Sequence, residues 1–146
     1  MVSVERDLWG MKMKINRNIK NIILHEIRSY NENKRMLEEY KQDIIDSSPP
    51  PPDGMPGARK TTNPTEGKIL KMESCVYIRR TEQVIRAIDH ALAQVDDLHR
   101  EVIDLMYWKR THTATGAALK LNASQATIYN WINEVVEIIA KELGYL

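Results

Sequence analysis

The stretch THTATGAALKLNASQATIYNWIN, at residues 111–133, decides the fold of this chain, and its informative part runs from 113 to 131. Small and apolar residues recur there at helical intervals, so a short helix would present a narrow face that a second helix can cross closely; they are Ala114, Ala117, Ala118 and Leu121. Asn122 follows, and asparagine is second only to glycine in tolerating left-handed backbone angles. The pattern predicts a helix that ends in a tight turn.

The next helix has its own start signals. Ser124 is placed as its N-cap, with a hydroxyl that can accept from the amide of Thr127, and Ala123 and Ile128 occupy hydrophobic-staple positions. Apolar residues then recur as a buried stripe: Ile128, Ile132, Val135, Ile139 and Leu143. We therefore predict a second helix that crosses the first.

The front of this second helix carries the small and polar side chains Gln125, Ala126, Thr127, Tyr129, Asn130 and Asn133. Gln and Asn can pair bidentately with adenine, and the methyl groups of Ala or Thr suit thymine. The two helices therefore predict a helix-turn-helix that binds the major groove of double-stranded DNA. We assign Trp131 to the core and Tyr129 to the surface.

Local charge favours the same function. Residues 105–133 contain Lys109, Arg110 and Lys120 but no Asp or Glu, so phosphates would meet no repulsion there. The whole chain is nearly neutral, with 21 basic against 20 acidic residues, and the prediction rests on this local distribution. The alternative is an ordinary antiparallel helix pair in an all-α core.

One more helix precedes the pair, with apolar residues Leu98, Val102, Leu105 and Met106, and it ends near Tyr107 and Trp108. The strings HREVIDLMYW and TATGAALKLNASQATIYNWINEV resemble region 4 of bacterial sigma factors, which reads promoter DNA. They are still more similar to the RinA and ArpU group of phage-encoded transcriptional activators. The strings EVVEIIAKELG and DGMPGARKTTNPTEG and the Tyr-containing N-terminal helix extend that similarity over most of the chain.

The resemblance implies a scaffold helix at 97–108, a first motif helix at 113–120 and a recognition helix at 124–142. It implies a base-facing set, which is Ser124, Gln125, Thr127, Tyr129 and Asn130. We predict a phosphate-facing set as well, which is Lys109, Arg110, Lys120 and Asn133. It also implies activation of late phage operons, such as packaging and morphogenesis genes, together with host RNA polymerase. In two respects the chain departs from the pattern: Asn122 replaces the usual turn glycine, and 112–115 lacks an acidic residue common in sigma region 4. The second departure weakens the expectation of a sigma-like polymerase contact.

The N-terminal segment, 1–46, is predicted to be helical, with one long helix over 15–46. Its apolar positions fall at spacings of three and four: Ile15, Ile19, Ile22, Leu24, Ile27, Tyr30, Leu37, Tyr40 and Ile44. Its middle, SYNENK, is too polar for a strong coiled coil, so we expect it to pack on the second long helix. We interpret the basic residues near its start as a solvated face: Lys12, Lys14, Arg17 and Lys20.

A Pro/Gly-rich linker over 47–65 follows, because five prolines precede Arg59 and a sixth is Pro64. Its string GMPGARKT superficially resembles a phosphate-binding loop, but Arg59 stands where the second glycine should be and no strand precedes it, so we expect no nucleotide site. A helical body then occupies 66–146. A second long helix is predicted over 66–95, leading directly into the three helices of the DNA-binding domain, whose helix-turn-helix motif is at 113–142, with Asp97 as a cap. The expected fold is all-α and two-lobed.

The sequence carries no motif typical of an enzyme, a metal site or a membrane span. The four histidines are dispersed, no zinc-ligand spacing or nucleophile elbow occurs, and we expect neither catalysis nor a cofactor. Cys75 is the one cysteine, which suits a reducing compartment. No apolar run approaches the roughly 20 residues of a membrane span, and the first 15 residues lack a signal-peptide core. The expected location is the cytoplasm of a bacterial host.

Two other functions stay open. A small terminase subunit also combines a helix-turn-helix with long helices, but its motif is typically N-terminal. The second open function is an interaction protein that binds polymerase or a sigma factor without DNA specificity. However, a surface that binds only protein has no reason to exclude carboxylates over 105–133. We also hypothesise a homodimer, since two motifs on adjacent half-sites multiply affinity.

Overall fold

The computed structural model describes residues 15–47 and 64–146, and every regular element within them is helical. The predicted all-α class is confirmed for these residues. Seven α-helices and one π-helical segment follow in chain order: α1 (Arg17–Arg28), α2 (Tyr30–Asp46), α3 (Pro64–Ser74), α4 (Val76–Gln94), α5 (Asp97–Ile103), the π-helical segment (Asp104–Trp108), α6 (Ala114–Leu121) and α7 (Gln125–Glu142).

The single helix predicted over 15–46 is wrong, because the chain breaks at Ser29 (φ −89°, ψ 0°) into α1 and α2. The indole Nε1 of Trp108 donates to the carbonyl of Ile27 at 2.9 Å, and a side chain that intrudes on a helical hydrogen-bond ladder is a known cause of such breaks. The two helices then pack on different parts of the fold. α1 packs on α7 and the π-helical segment, whereas α2 packs on α4 and α3.

The single helix predicted over 66–95 is also wrong. Cys75 has extended backbone angles (φ −74°, ψ 118°) and separates α3 from α4. α3 begins at Pro64 rather than at residue 66, which is reasonable because the first helical turn needs no amide donor from proline. The remainder of the predicted linker, 48–63, lies outside the described residues, as do Lys12, Lys14 and the GMPGARKT string.

The main core joins α1 to α7. Ile23 and Ile27 of α1 are completely buried in the same cluster as Ile128, Ile132 and Ile139 of α7. α4, α5, α6 and the π-helical segment add Ala87, Ile88, Ala91, Val102, Ile103, Tyr107, Ala114, Ala117 and Ala118. α1 therefore packs within the same chain, on the helix that sequence analysis assigned to DNA recognition.

A smaller cluster lies between α2 and α4. Leu37 and Ile44 bury their side chains against Ile78, with Met72 of α3 packed beside them. α2 thus packs on the second long helix, as expected for the N-terminal segment as a whole. Over residues 66–74, the part of α3 whose side chains are described, none is buried, and Ile69 and Leu70 are exposed.

Tyr30, the first residue of α2, connects these parts. Its ring stacks on Trp108 with 5.2 Å between centroids, and its hydroxyl hydrogen-bonds to Asp89 of α4. Burial, followed by the hydrogen bond to Asp89, raises the pKa of the Tyr30 phenol well above its ordinary value. The hydroxyl therefore stays protonated at neutral pH and keeps donating to α4.

The completely buried Ile139 gives a direct test of the core. We expect Ile139→Ala to lower the free energy of unfolding by about 2–5 kcal/mol, because it removes buried methyl groups and leaves a cavity. Leu119→Ala is the matched control: Leu119 is 79% exposed, and we expect a change within about 0.5 kcal/mol. Urea denaturation followed by circular dichroism measures both, and equal effects would contradict the assigned core.

Candidate nucleic-acid interface

The first helix of the predicted pair, α6, is short and closely packed. The Thr113 hydroxyl caps its start and accepts from the amide of Gly116 at 3.2 Å. Ala114, Ala117 and Ala118 are its buried residues. Because alanine side chains are small, α7 can cross this face at close range, and the observed α6 differs from the predicted 113–120 by one residue at each end.

The turn between α6 and α7 has the predicted chemistry. Asn122 adopts left-handed angles (φ 59°, ψ 44°) and the amide of Ala123 donates to the Ala118 carbonyl at 2.9 Å. The Ser124 hydroxyl then accepts from the amide of Thr127 at 3.1 Å and is the N-cap of α7. These local bonds fix the angle at which α7 leaves α6.

The front of α7 is exposed as predicted for its polar residues. Ser124, Gln125 and Asn130 are exposed and Tyr129 is 48% exposed, whereas Thr127 is half-buried with its hydroxyl 2.8 Å from that of Ser124. Trp131 is half-buried and packs against the core. Residues 126, 130 and 133 recur at helical spacing on the side away from the buried stripe, and Asn133 is half-buried there. Its contact with phosphate stays a prediction.

Thr115 is a residue that sequence analysis missed. It is exposed on α6, and its Oγ1 accepts a hydrogen bond of 2.5 Å from Nε2 of Gln125. The two residues are ten positions apart on different helices, so no periodic pattern in the sequence could have paired them. The bond fixes the direction of the Gln125 amide and leaves its Oε1 and a second N–H available to a ligand.

The three cations predicted to bind phosphate differ in their partners. Nζ of Lys109 lies 3.0 Å from a carboxylate oxygen of Asp104, and this hydrogen bond raises the pKa of the lysine. Arg110 and Lys120 are exposed, and neither has a carboxylate partner among the residues described. Arg110 has left-handed backbone (φ 55°), and its Nε donates to the carbonyl of Tyr107 at 3.4 Å.

The first acidic residue of α7, Glu134, points to a buried histidine of α5. His99 has one ring nitrogen 2.5 Å from Glu134 and the other 2.7 Å from Asp96, and its ring lies 5.6 Å from that of Trp131. The N-cap of α5 is Asp96, so the prediction of Asp97 as cap is wrong: the Asp96 carboxylate accepts from the amides of residues 98 and 99. This cluster around His99 fixes the rotation of α7 about its axis and keeps the Glu134 carboxylate hydrogen-bonded to His99.

Within residues 15–47 and 64–146, no helix combines the length and apolar character that crossing a membrane requires. The described part of the chain also has no group of three or more His, Cys, Asp or Glu side chains that could hold a metal ion.

Comparison with known proteins gives one family match. A family model described as "Protein of unknown function (DUF722)" matches residues 11–141. No curated protein and no solved structure matches the chain.

The left-handed turn residue gives a stability test. We expect Asn122→Ala to lower the free energy of unfolding by about 1–2 kcal/mol, because an alanine side chain is strained at φ 59°. Asn122→Gly is the matched control and should be close to neutral, since glycine adopts this conformation freely. Thermal denaturation of both variants checks this, and an alanine variant as stable as the glycine variant would show that the turn is not left-handed.

The Asp96 cap makes stability depend on pH. Its hydrogen bond to His99 lowers the pKa of the carboxyl below its ordinary value of 3.8, so its contribution is present above that value and is lost as the pH falls through the folded-state pKa. Asp96→Asn keeps the capping oxygen but not the charge. We expect it to be less stable than the wild type at pH 7 and to approach wild-type stability as the pH falls below 3.8 through the folded-state pKa.

Urea denaturation over this pH range measures the difference. Asp97→Asn is the control, because the Asp97 side chain is 96% exposed and its surface ion pair with Arg100 contributes little to stability. A difference between Asp96→Asn and wild type that does not change with pH would contradict the proposed charge interaction.

Proposed function

We propose that this chain, which belongs to the DUF722 family, is a sequence-specific DNA-binding regulator of transcription whose α6 and α7 form a helix-turn-helix. The observation that supports this most is the front of α7. It starts at a Ser124 cap after a left-handed turn and exposes Gln125, Tyr129 and Asn130 with no carboxylate before Glu134. An exposed polar helix front of this kind suits the base edges of a major groove.

In this proposal the first turns of α7 enter the major groove. Gln125 and Asn130 pair with adenine through their amides, each pair providing about 1–3 kcal/mol of discrimination between bases. Thr115 acts as a positioning residue, because its hydroxyl holds the Gln125 amide in one direction before DNA arrives. Lys120 and Arg110, which flank the pair, bind phosphates and set the register without reading sequence.

The phosphate contacts available to one copy are few. Lys109 is shared with Asp104, so Arg110 and Lys120 are the exposed cations of the acid-poor stretch that lack a carboxylate partner in the described structure. Because each neutralised phosphate adds to affinity, one copy binds weakly, and we propose that two copies bind adjacent half-sites as a homodimer. Light scattering that finds a monomer both free and on its site would contradict the dimer.

The direction of regulation is proposed from the similarity to RinA and ArpU activators. By that similarity the chain activates late phage genes at a promoter together with host RNA polymerase. A purely protein-binding surface has no need of a front without carboxylates. That alternative therefore accounts for the α7 front less well than a DNA-binding protein does.

Selection from a library of random duplexes tests the proposed function. The purified full chain is incubated with the library in excess nonspecific competitor, and bound DNA is amplified and sequenced over several rounds. We expect one sequence motif to be enriched. Recovery of unrelated sequences in every round would contradict sequence-specific binding.

Residues that read bases and residues that bind phosphates should respond differently to substitution. Gln125→Ala and Asn130→Ala should change which base is preferred at one position each, with a loss of about 1–3 kcal/mol on the preferred sequence. Lys120→Ala should weaken binding to all sequences alike and reduce the slope of log K against log salt by about 1. Fluorescence-anisotropy titration on the enriched duplex and on single-base variants separates the two. If all three substitutions behave identically, the assigned base-facing set is wrong.

A further inference from the structure

The last residue of α1, Arg28, lies beside the proposed DNA-binding surface although it is distant from it in sequence. Its guanidinium carbon is 5.2 Å from the centre of the Tyr107 ring, in a cation–π arrangement. Tyr107 is the buried residue just before Trp108 in the π-helical segment that leads towards α6. Arg28 is itself exposed.

Trp108 holds this end of α1 in place. Its indole donates to the carbonyl of Ile27 and its ring stacks on Tyr30, so it contacts the chain on both sides of Arg28. Ile27 is completely buried in the main core. The position of the Arg28 backbone relative to α7 is therefore set by rigid packing, which is what a binding residue needs.

Tyr107 links Arg28 to a cation of the proposed DNA-binding surface. The Arg28 guanidinium lies over its ring, and Nε of Arg110 donates to its carbonyl at 3.4 Å. Burial raises the pKa of the Tyr107 phenol, the Arg28 charge opposes that shift and the Tyr129 phenol adds to it. Arg28 and Arg110 therefore contact the same residue, one at its ring and the other at its backbone.

The Arg28 charge has no carboxylate partner among the described ion pairs. Along α1 the only acidic residue is Glu26, which by helical spacing lies on roughly the opposite side of the helix. α1 also carries Arg17 and Lys20 and has no acidic residue in its first turn. A cation that is held in place, exposed and unpaired is suited to bind an anion.

We propose that Arg28 binds a backbone phosphate next to the bases contacted by α7, so that α1 is a second element of the DNA interface. This inference rests on the proposed function and deepens it, because it assigns a DNA contact to the N-terminal part of the chain. Arg110 and Arg28 then bind phosphates on the Tyr107 side of the front, and Lys120 binds at the end of α6.

The test uses the full chain and four proteins: wild type, Arg28→Gln, Arg28→Lys and Arg80→Gln. Arg80 is the matched control, since it is exposed on α4 two residues after Ile78 of the smaller cluster, which contains no residue of α6 or α7. Anisotropy titrations with a labelled duplex, either the enriched sequence or a scrambled one, are repeated over a series of salt concentrations. Thermal denaturation of each protein verifies that it is folded.

We expect Arg28→Gln to weaken binding about five- to ten-fold at 0.1 M salt, equally on both duplexes, and to reduce the salt slope by about 0.9. Arg28→Lys should restore the slope because it restores the charge, and Arg80→Gln should match the wild type. A wild-type slope for Arg28→Gln, with wild-type binding intact, overturns this inference alone. No saturable binding by the wild type overturns the proposed function and this inference with it.

Discussion

The Trp108 side chain joins the two halves of the described structure. Its indole donates at 2.9 Å to the Ile27 carbonyl, 81 positions away in the chain, and its ring stacks on Tyr30. The same residue ends the π-helical segment from which the chain continues to α6. Loss of the donor would remove one hydrogen bond to a carbonyl beside the main core, a net cost of about 0.5–1.5 kcal/mol. The placement of α1 and α2 depends on this contact.

The packing that Trp108 organises gives α7 a rigid base. Its buried side, Ile128, Ile132 and Ile139, faces α1 and α4 as well as α5 and α6, so α7 has neighbours along most of its length. The His99 cluster then fixes its rotation through Glu134. The exposed residues of α7 lie in its first turns, at 125, 126, 129 and 130, and at its end, at 141 and 142. Recognition of bases requires side chains held within about 0.5 Å of their working positions, and a helix packed in this way can satisfy that demand.

Features made by residues close in sequence were predictable, and those made across the fold were not. The Thr113 and Ser124 caps and the Asn122 turn depend on bonds within a few residues, so the sequence specifies them directly. The breaks at Ser29 and Cys75 could not be predicted in this way, because α1, α2, α3 and α4 pack on tertiary partners that the sequence periodicity does not reveal. The same holds for the bond between Thr115 and Gln125 and for the contact of Arg28 with Tyr107. The pairing of Lys109 with Asp104 arises from the π-helical segment, which brings residues five apart together.

The most direct test of the account is a fluorescence-anisotropy titration of the purified full chain against duplex DNA from upstream of its own gene cluster. It should be run at two salt concentrations and with nonspecific competitor. The account predicts saturable binding that survives the competitor and weakens as salt rises, because phosphate contacts release counterions. An absence of binding at both salt concentrations would contradict it, and would shift the interpretation of the α7 front towards a protein partner.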